Sequence, residues 1–173
     1  VDRDDLEDQG SGHFAKTVQL TKMLSPQMII EVLTPDWRGD LQWIEKTALS
    51  GADVLAHNIE TVKRLQRKVR DPRATYEQSL FVLKNYLEIA EKNNKKVLTK
   101  SSIMVGLGET EEEILECMED LYKVGVRILT LGQYLQPTKR HLPVQQFASP
   151  EYFSKLAKAG EQMGYAYVAS GPL

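Results

Sequence analysis

Apolar residues along the chain follow two rhythms. One is a short run of adjacent apolar positions, which suits a buried strand; the other is a spacing of three and four, which suits a helix. Phe14, Val18 and Leu24, with Ala15 and Leu20 nearby, carry the helical spacing until Ser25-Pro26 ends it. Residues 28–33 form an apolar strand-like run, followed by the polar loop Thr34-Pro35-Asp36-Trp37-Arg38-Gly39. Leu41, Ile44, Ala48 and Leu49 predict a second helix, closed by Ser50-Gly51. Residues 54–56 predict a second strand that ends in His57-Asn58-Ile59-Glu60-Thr61. The basic segment 63–73, striped by Val62, Leu65 and Val69, predicts a short helix with a solvated charged face, broken at Asp71-Pro72. Tyr76, Leu80, Leu83 and Leu87 mark a longer helix. A third strand over 97–105, a helix lined by Ile114, Met118, Leu121 and Tyr122, and a fourth strand over 127–132 follow. A last helix over 150–163, with Phe153, Leu156 and Ala157 inward, and a strand over 165–169 complete the pattern.

Strand and helix alternate throughout, which predicts right-handed βαβ units on a parallel sheet, the α/β class. The polar clusters share one position, just after a strand. In barrels and open α/β sheets alike, the carboxyl ends of the strands build the site. Asp36 with Arg38, Asn58 with Glu60, Lys100 with Ser102 and Glu109, and Gln133 with Gln136 should therefore converge on one mouth.

The most informative stretch is the turn Gly106-Leu107-Gly108 after the third strand. Thr110 followed by Glu113 is a capping box that opens the next helix. Glycines at 106 and 108 permit backbone angles closed to other residues and let a ligand approach the main chain. Such a turn before a helix is often a phosphate cradle. Glu109, Glu111, Glu112 and Glu113 crowd the same end, however, and would repel a phosphate while suiting the helix dipole. An uncharged or cationic ligand fits better; taken alone, a plain strand-to-helix connector is the simplest reading.

Composition narrows the classes. A chain of 173 residues, 42% hydrophobic and 27% charged, suits one globular domain with a sizeable core, so 1–173 is read as one unit. The near balance of 22 basic and 24 acidic residues gives no electrostatic case for nucleic acid or an anionic membrane as partner. No apolar run is long enough to cross a bilayer. The first residue is Val1, not Met, which suggests a piece of a longer protein. The single cysteine, Cys117, lies at helical spacing with Ile114, Met118 and Leu121, so it reads as a buried hydrophobe, not a nucleophile.

Taken together, the clusters resemble the lipoyl synthases of the radical S-adenosylmethionine superfamily. The matching runs are Val1-Asp2-Arg3-Asp4-Asp5-Leu6, Pro35-Asp36-Trp37-Arg38-Gly39, His57-Asn58-Ile59-Glu60-Thr61-Val62 and Lys68-Val69-Arg70. Met104 to Glu109, Gly132 to Pro137, Arg140-His141-Leu142-Pro143-Val144 and Val168 to Leu173 continue them in the family's order across the chain. The resemblance implies a partial parallel (βα)6 barrel, from the end of the second barrel strand onward. It also implies an enzyme that inserts two sulfur atoms at C6 and C8 of an octanoyl chain. Its cofactors would be S-adenosylmethionine and two 4Fe-4S clusters, one cleaving S-adenosylmethionine to a radical and one consumed as sulfur donor. The substrate chain would ride on lipoyl carrier domains, in 2-oxoacid dehydrogenase subunits or the glycine cleavage H protein. The compartment would be the cytoplasm in a bacterium and the mitochondrion or plastid in a eukaryote.

Site residues carry over from the resemblance one by one. The superfamily motif Gly-x-Ile-x-Gly-x-x-Glu aligns with Ser102 to Glu109, so Ser102, Gly106 and Gly108 fall beside the adenosine, with Lys100 just before them. Asn58 and Glu60 match the polar pair at the ribose and methionine part, with chemistry suited to hydroxyls and an ammonium. Gln133 and Gln136 look like cofactor contacts, and Arg3 and Asp4 fall where a loop meets the methionine amine. Arg38, Arg140 and His141 would face the substrate peptide or the auxiliary cluster. The family's cysteine triplets belong upstream and a serine ligand just past Leu173; Cys117 matches neither triplet. Clusters of this kind need thiolates, so this chain by itself is expected to hold neither cluster and to be inactive.

Two further readings stay open at this level. One is a non-catalytic remnant that binds a carrier domain or S-adenosylmethionine. The other is a metal-free barrel lyase using Lys100, without an evident acid or base partner, as a Schiff-base amine. A half-barrel should also leave a sheet edge unpaired.

Overall fold

The structure, a computed structural model, describes residues 3–172; Val1, Asp2 and Leu173, used in the first and last matching runs, lie outside the described residues. Five strands form one all-parallel sheet in chain order: β1 (Glu31–Leu33), β2 (Val54–Ala56), β3 (Leu98–Val105), β4 (Ile128–Gln133) and β5 (Tyr167–Gly171). The helices between and beside them are α1 (Ser11–Leu24), α2 (Leu41–Ala48), α3 (Gln66–Val69), α4 (Tyr76–Lys92), α5 (Glu111–Lys123) and α6 (Pro150–Met163). This is the α/β arrangement of a partial (βα) barrel: neighbouring strands are parallel because a helix carries the chain back each time.

The side-chain period of two sorts each strand into two faces. In β3, Thr99, Ser101, Ile103 and Val105 are buried, while Lys100, Ser102 and Met104 are half-exposed. Leu129 and Leu131 of β4 join Ile103 and Val105 in a core with Ile114, Met118, Leu121, Phe153 and Leu156 from α5 and α6. Leu55 of β2 joins Val18, Trp37, Ile44, Val82 and Tyr86 in the second core cluster, built from α1, α2 and α4. The helix-facing side of the sheet is thus sealed. On the other side Leu33, Leu98 and Tyr167 stand 55%, 44% and 63% exposed, so one face of a parallel sheet meets solvent. Parallel sheets are ordinarily covered on both faces.

Several boundaries differ from the pattern-based reading. The predicted strand 28–33 shortens to Glu31–Leu33, because the Asp53 carboxylate takes the Ile30 amide at 2.7 Å and Lys22 takes the Met28 carbonyl at 2.7 Å. The basic segment is not one helix; it is a 3-10 turn (Lys63–Leu65) followed by the four-residue α3. Its path is set by Gln66, whose side-chain amide donates to the carbonyls of Ile59 and Thr61 at 2.9 and 2.6 Å. The final strand starts two residues late. Tyr165 is buried in the helix layer with its hydroxyl on the Met118 carbonyl at 2.6 Å, and pairing begins at Tyr167. The capping box is present as read: Thr110 Oγ1 accepts from the Glu113 amide and Glu113 Oε2 accepts from the Thr110 amide.

Candidate functional site

The turn after β3 is closed by its own sequence. Gly106 and Leu107 donate their amides to Glu109 Oε1 and Oε2 at 2.6 and 2.9 Å. Both amides that would cradle a phosphate are therefore occupied by a carboxylate, in keeping with the charge argument. Gly106 has φ +106°, and a Cβ there would strike the Gln133 side chain and the Gln146 carbonyl. What approaches this glycine is the protein itself, not a free ligand face. Gly108 (φ +98°) lends its carbonyl to Arg64, which also grips Glu113 through two hydrogen bonds of 2.6 and 2.9 Å.

Gln133, at the end of β4, is the strap that holds this arrangement. Its Nε2 donates to the carbonyls of Tyr134 and Gln146 at 3.0 and 3.1 Å, and its Oε1 accepts from the Ala148 amide at 2.8 Å. Gln136 donates to the His141 carbonyl at 2.7 Å, and His141 Nδ1 pairs with Thr138 Oγ1 at 2.9 Å. Both glutamines, expected as cofactor contacts, spend their side chains on the β4–α6 loop. Arg140 is exposed, and its guanidinium pairs with no described residue.

The end of β2 is different. His57 is a buried pin, with Nδ1 on the Thr34 carbonyl and Nε2 on Ser79 Oγ, each at 3.0 Å. Asn58 and Glu60, beyond it, are half-buried, and neither side chain meets a hydrogen-bond or ionic partner among the described residues. Glu60 has φ +68°, rare for a residue with a side chain, and its backbone bridges to β3 beside Ile103. Next to it Thr61 is fully buried, its hydroxyl without a hydrogen-bond partner among the described residues. A left-handed residue with a free carboxylate at a strand end is the kind of outlier found in binding sites.

On the open sheet face Lys100 Nζ meets Glu31 Oε1 at 2.6 Å, reaching diagonally across β2: Lys100 stands opposite Ala56, and Glu31 opposite Val54, two residues back. This overturns the expectation that Lys100 lacks an acid or base partner. A barrel lysine becomes a nucleophile by losing its charge in an apolar pocket, whereas this one sits against a carboxylate. Ser102 shares the face, one rung nearer the mouth, beside Thr130.

Two of the remaining expected residues, Asp4 and Arg38, meet at a rim, which Arg3 does not line. Asp4 bridges two guanidinium groups, Arg38 and Arg73, at 3.0 Å each, and the hydrogen bond from Arg38 first, then that from Arg73, holds its carboxyl below the usual range. Arg73 is also gripped by Asp71, and Gln78 donates to Asp36 at 2.6 Å; together these line a cleft of about 240 Å³. Arg3 pairs locally with Asp5 at 2.7 Å. Arg38 reaches the cleft because Trp37 and Arg38 both have φ +51°, a path fixed by Trp37 Nε1 donating to the buried Tyr86 hydroxyl at 2.6 Å. Pattern reading missed Arg73 and Glu31, since neither follows a strand end; their charge was the only signal.

Cys117 is 1% exposed inside the α5 core face, and burial pushes its thiol up to about 12. No group of three or more metal-binding side chains occurs among the described residues. An iron–sulfur cluster therefore does not fit this chain's donors. No described helix is long and apolar enough to cross a membrane.

Comparison with known proteins adds to this geometry. A family model for the radical SAM superfamily matches residues 4–121. The chloroplastic lipoyl synthase of Ricinus communis is 58% identical over 173 residues, all of this chain and 46% of that protein. Chloroplastic lipoyl synthase 1 of Zea mays is likewise 58% identical over the whole chain and 47% of its own length. The chain thus spans about half the length of the curated relatives it matches. Among solved structures, methylornithine synthase superposes with a TM-score of 0.62 at 17% identity, over 91% of this chain and 51% of that one. That likeness is one of fold.

Proposed function

The chain belongs to the radical SAM superfamily, and from that premise we propose that it is the part of a lipoyl synthase that holds S-adenosylmethionine and meets the acyl substrate. The observation that carries this reading is the 58% identity to lipoyl synthases, unbroken over all 173 residues. The whole protein would insert two sulfur atoms into a carrier-bound octanoyl chain, in one incomplete (βα)6 barrel here read as 1–173. Superfamily membership brings S-adenosylmethionine and iron–sulfur chemistry; the count of two clusters belongs to the proposal.

The division of labour follows from which side chains are free. Asn58 and Glu60 supply an amide and a carboxylate with no competing partner among the described residues, suited to ribose hydroxyls and an ammonium. Ser102 stands on the open face below the Gly106–Gly108 turn, along the path assigned to the adenosine. Gly106, Gly108, Gln133 and Gln136 act by shaping the wall, since the Gly106 amide, the Gly108 carbonyl and the side-chain amides of both glutamines bond within the protein. Lys100 sets the floor through Glu31. Asp4 and Arg38 form the rim, with Arg3 beside Asp4 in the chain, and Arg140 and His141 toward the carrier. Since the only thiol here is the buried Cys117, the cluster ligands have to come from chain outside these residues, and no step is assigned to a cluster. The chloroplastic names of the relatives favour a plastid for the whole protein.

A chimera tests the reading. The matched half of the Ricinus communis enzyme is replaced by this chain, and lipoylation of an octanoylated carrier is measured by mass. A working chimera is the expected result. A folded chimera that binds S-adenosylmethionine yet makes no lipoyl product would sink the substrate assignment, and failure of Glu60→Gln to weaken that binding would sink the site.

A further inference from the structure

Residues 134–149, between β4 and α6, contain no strand or helix. That is longer than the roughly 12–15 residues beyond which an unstructured connection is uncommon and usually functional. It is nonetheless fastened along its length. Gln133 ties its two arms together, Tyr134 Oη donates to the Leu142 carbonyl at 2.8 Å, and the Gln145 amide donates to the Gly106 carbonyl at 2.9 Å. At the tip the His141 amide returns to the Thr138 carbonyl at 3.0 Å, and Gln136 grips the His141 carbonyl. Leu142, Val144 and Ala148 anchor the loop on the core.

This fixed backbone displays apolar and cationic groups together. Leu135 and Phe147 are 61% and 72% exposed and lie at the neck, one on each arm that Gln133 joins. At the tip Lys139 and Arg140 are exposed side by side and pair with no acid among the described residues. Two unpaired cations and two large apolar groups on one preorganised loop have the make-up of a protein-binding surface: anchors to bury and charge to steer. Its place beside the β3 and β4 ends puts it at the mouth.

We propose that the 134–149 loop is the docking surface for the substrate-bearing protein, and that the segment it takes is acidic and partly apolar. This rests on the reading of the substrate as an octanoyl chain carried by a protein domain. Lys139 and Arg140 set the rate and orientation of encounter, while Leu135 and Phe147 set residence time. Because the loop is already ordered, docking costs little further backbone entropy.

The test is direct binding of an octanoylated carrier domain to the full 173-residue chain by surface plasmon resonance. It is run at about 0.01 M and about 0.15 M salt, where the Debye length is roughly 30 and 8 Å. Lys139→Glu/Arg140→Glu is compared with Lys95→Glu/Lys96→Glu, which changes net charge equally but on the exposed turn before β3. The expected result is association slowed about tenfold or more at low salt by the loop variant alone, with Phe147→Ser speeding dissociation at either salt. Equal slowing by both charge variants would reduce the effect to net charge and overturn the surface, as would binding indifferent to 139, 140 and 147. The chimera judges the activity separately: an inactive chimera with loop-dependent binding leaves this surface standing and removes only the reading of the chemistry.

Discussion

Glu109 folds back on Gly106: one carboxylate oxygen lies 2.6 Å from the Gly106 amide and the other 2.9 Å from that of Leu107. A turn whose glycines invite a ligand is thereby completed by a residue of the same turn. Replacing Glu109 by Ala leaves two amides of a largely buried turn unpaired. The expected cost is about 1–3 kcal/mol, read as a lower denaturation midpoint at unchanged m-value. Glu109→Gln, which keeps one acceptor oxygen, should recover part of it. Equal stability of all three forms would show that water satisfies these amides.

Glycines 106 and 132 should respond in opposite directions. Gly106→Ala meets both a left-handed φ of +106° and a clash with Gln133 and the Gln146 carbonyl, so it should destabilise by more than about 1–2 kcal/mol. Gly132 lies inside β4, where an added Cβ would have nothing within 4 Å, and its backbone is ordinary strand. Gly132→Ala should therefore be neutral or stabilise by about 0.5–1 kcal/mol. Thermal melts of the two variants side by side decide it, and matching losses would mean that the space above Gly132 is not open.

The element order, the parallel sheet and the capping box were legible because each rests on local chemistry: periodicity, short apolar strands, Thr110 with Glu113. The polar residues after the strands were legible as a set, but their individual roles were not. Gln133 closes its strand and Glu60 lies just past the end of β2, yet Gln133 is spent on residues 146 and 148 while Glu60 stays free among the described residues. That difference depends on where a loop thirteen residues later returns, which no local pattern encodes. Lys100 and Glu31 meet for a similar reason. Their pairing needs β1 and β3 on either side of β2 with a two-residue offset, Lys100 opposite the small Ala56 and Glu31 opposite Val54.

The Lys100–Glu31 pair makes a chemical prediction. Incubation with an aldehyde and borohydride should give no adduct at Lys100 in the unsubstituted chain, because an ammonium 2.6 Å from a carboxylate is not the desolvated amine that imine formation requires. Peptide mapping by mass spectrometry reads this out, with exposed lysines as internal controls. Preferential labelling of Lys100 over those controls would restore the lyase reading.

Acid should loosen the start of α5. Hydrogen bonds from Arg64, then from the Thr110 amide, lower the Glu113 carboxyl from 4.5 to about 2. Its folded-state pKa lies below its unfolded one, so its stabilisation is present above the unfolded value and is lost as pH falls through the window from about 4.5 to 2. Glu113→Gln should lower stability at neutral pH by about 1 kcal/mol and flatten the acid limb in that window. Urea melts at a series of pH values test this, and an unchanged acid limb in the variant would assign the loss to other carboxylates.

Tyr86 governs the left-handed path that delivers Arg38 to the rim. Its hydroxyl is wholly buried, accepts from Trp37 Nε1 at 2.6 Å and lies 2.8 Å from Thr34 Oγ1, and burial pushes its ionisation well upward. Because the hydroxyl oxygen accepts from the indole, its proton is free for Thr34, and deleting the oxygen orphans a buried N–H. Tyr86→Phe should cost about 1–3 kcal/mol. Trp37 then has less reason to hold φ at +51°, and relaxation there moves Arg38 off Asp4. The expected signature is a shift in tryptophan fluorescence together with loss of the salt-sensitive part of stability that Asp4→Asn also removes. If Tyr86→Phe lowers stability but leaves the Asp4→Asn effect at full size, the hydroxyl supports the core alone and the Trp37–Arg38 path is held by something else.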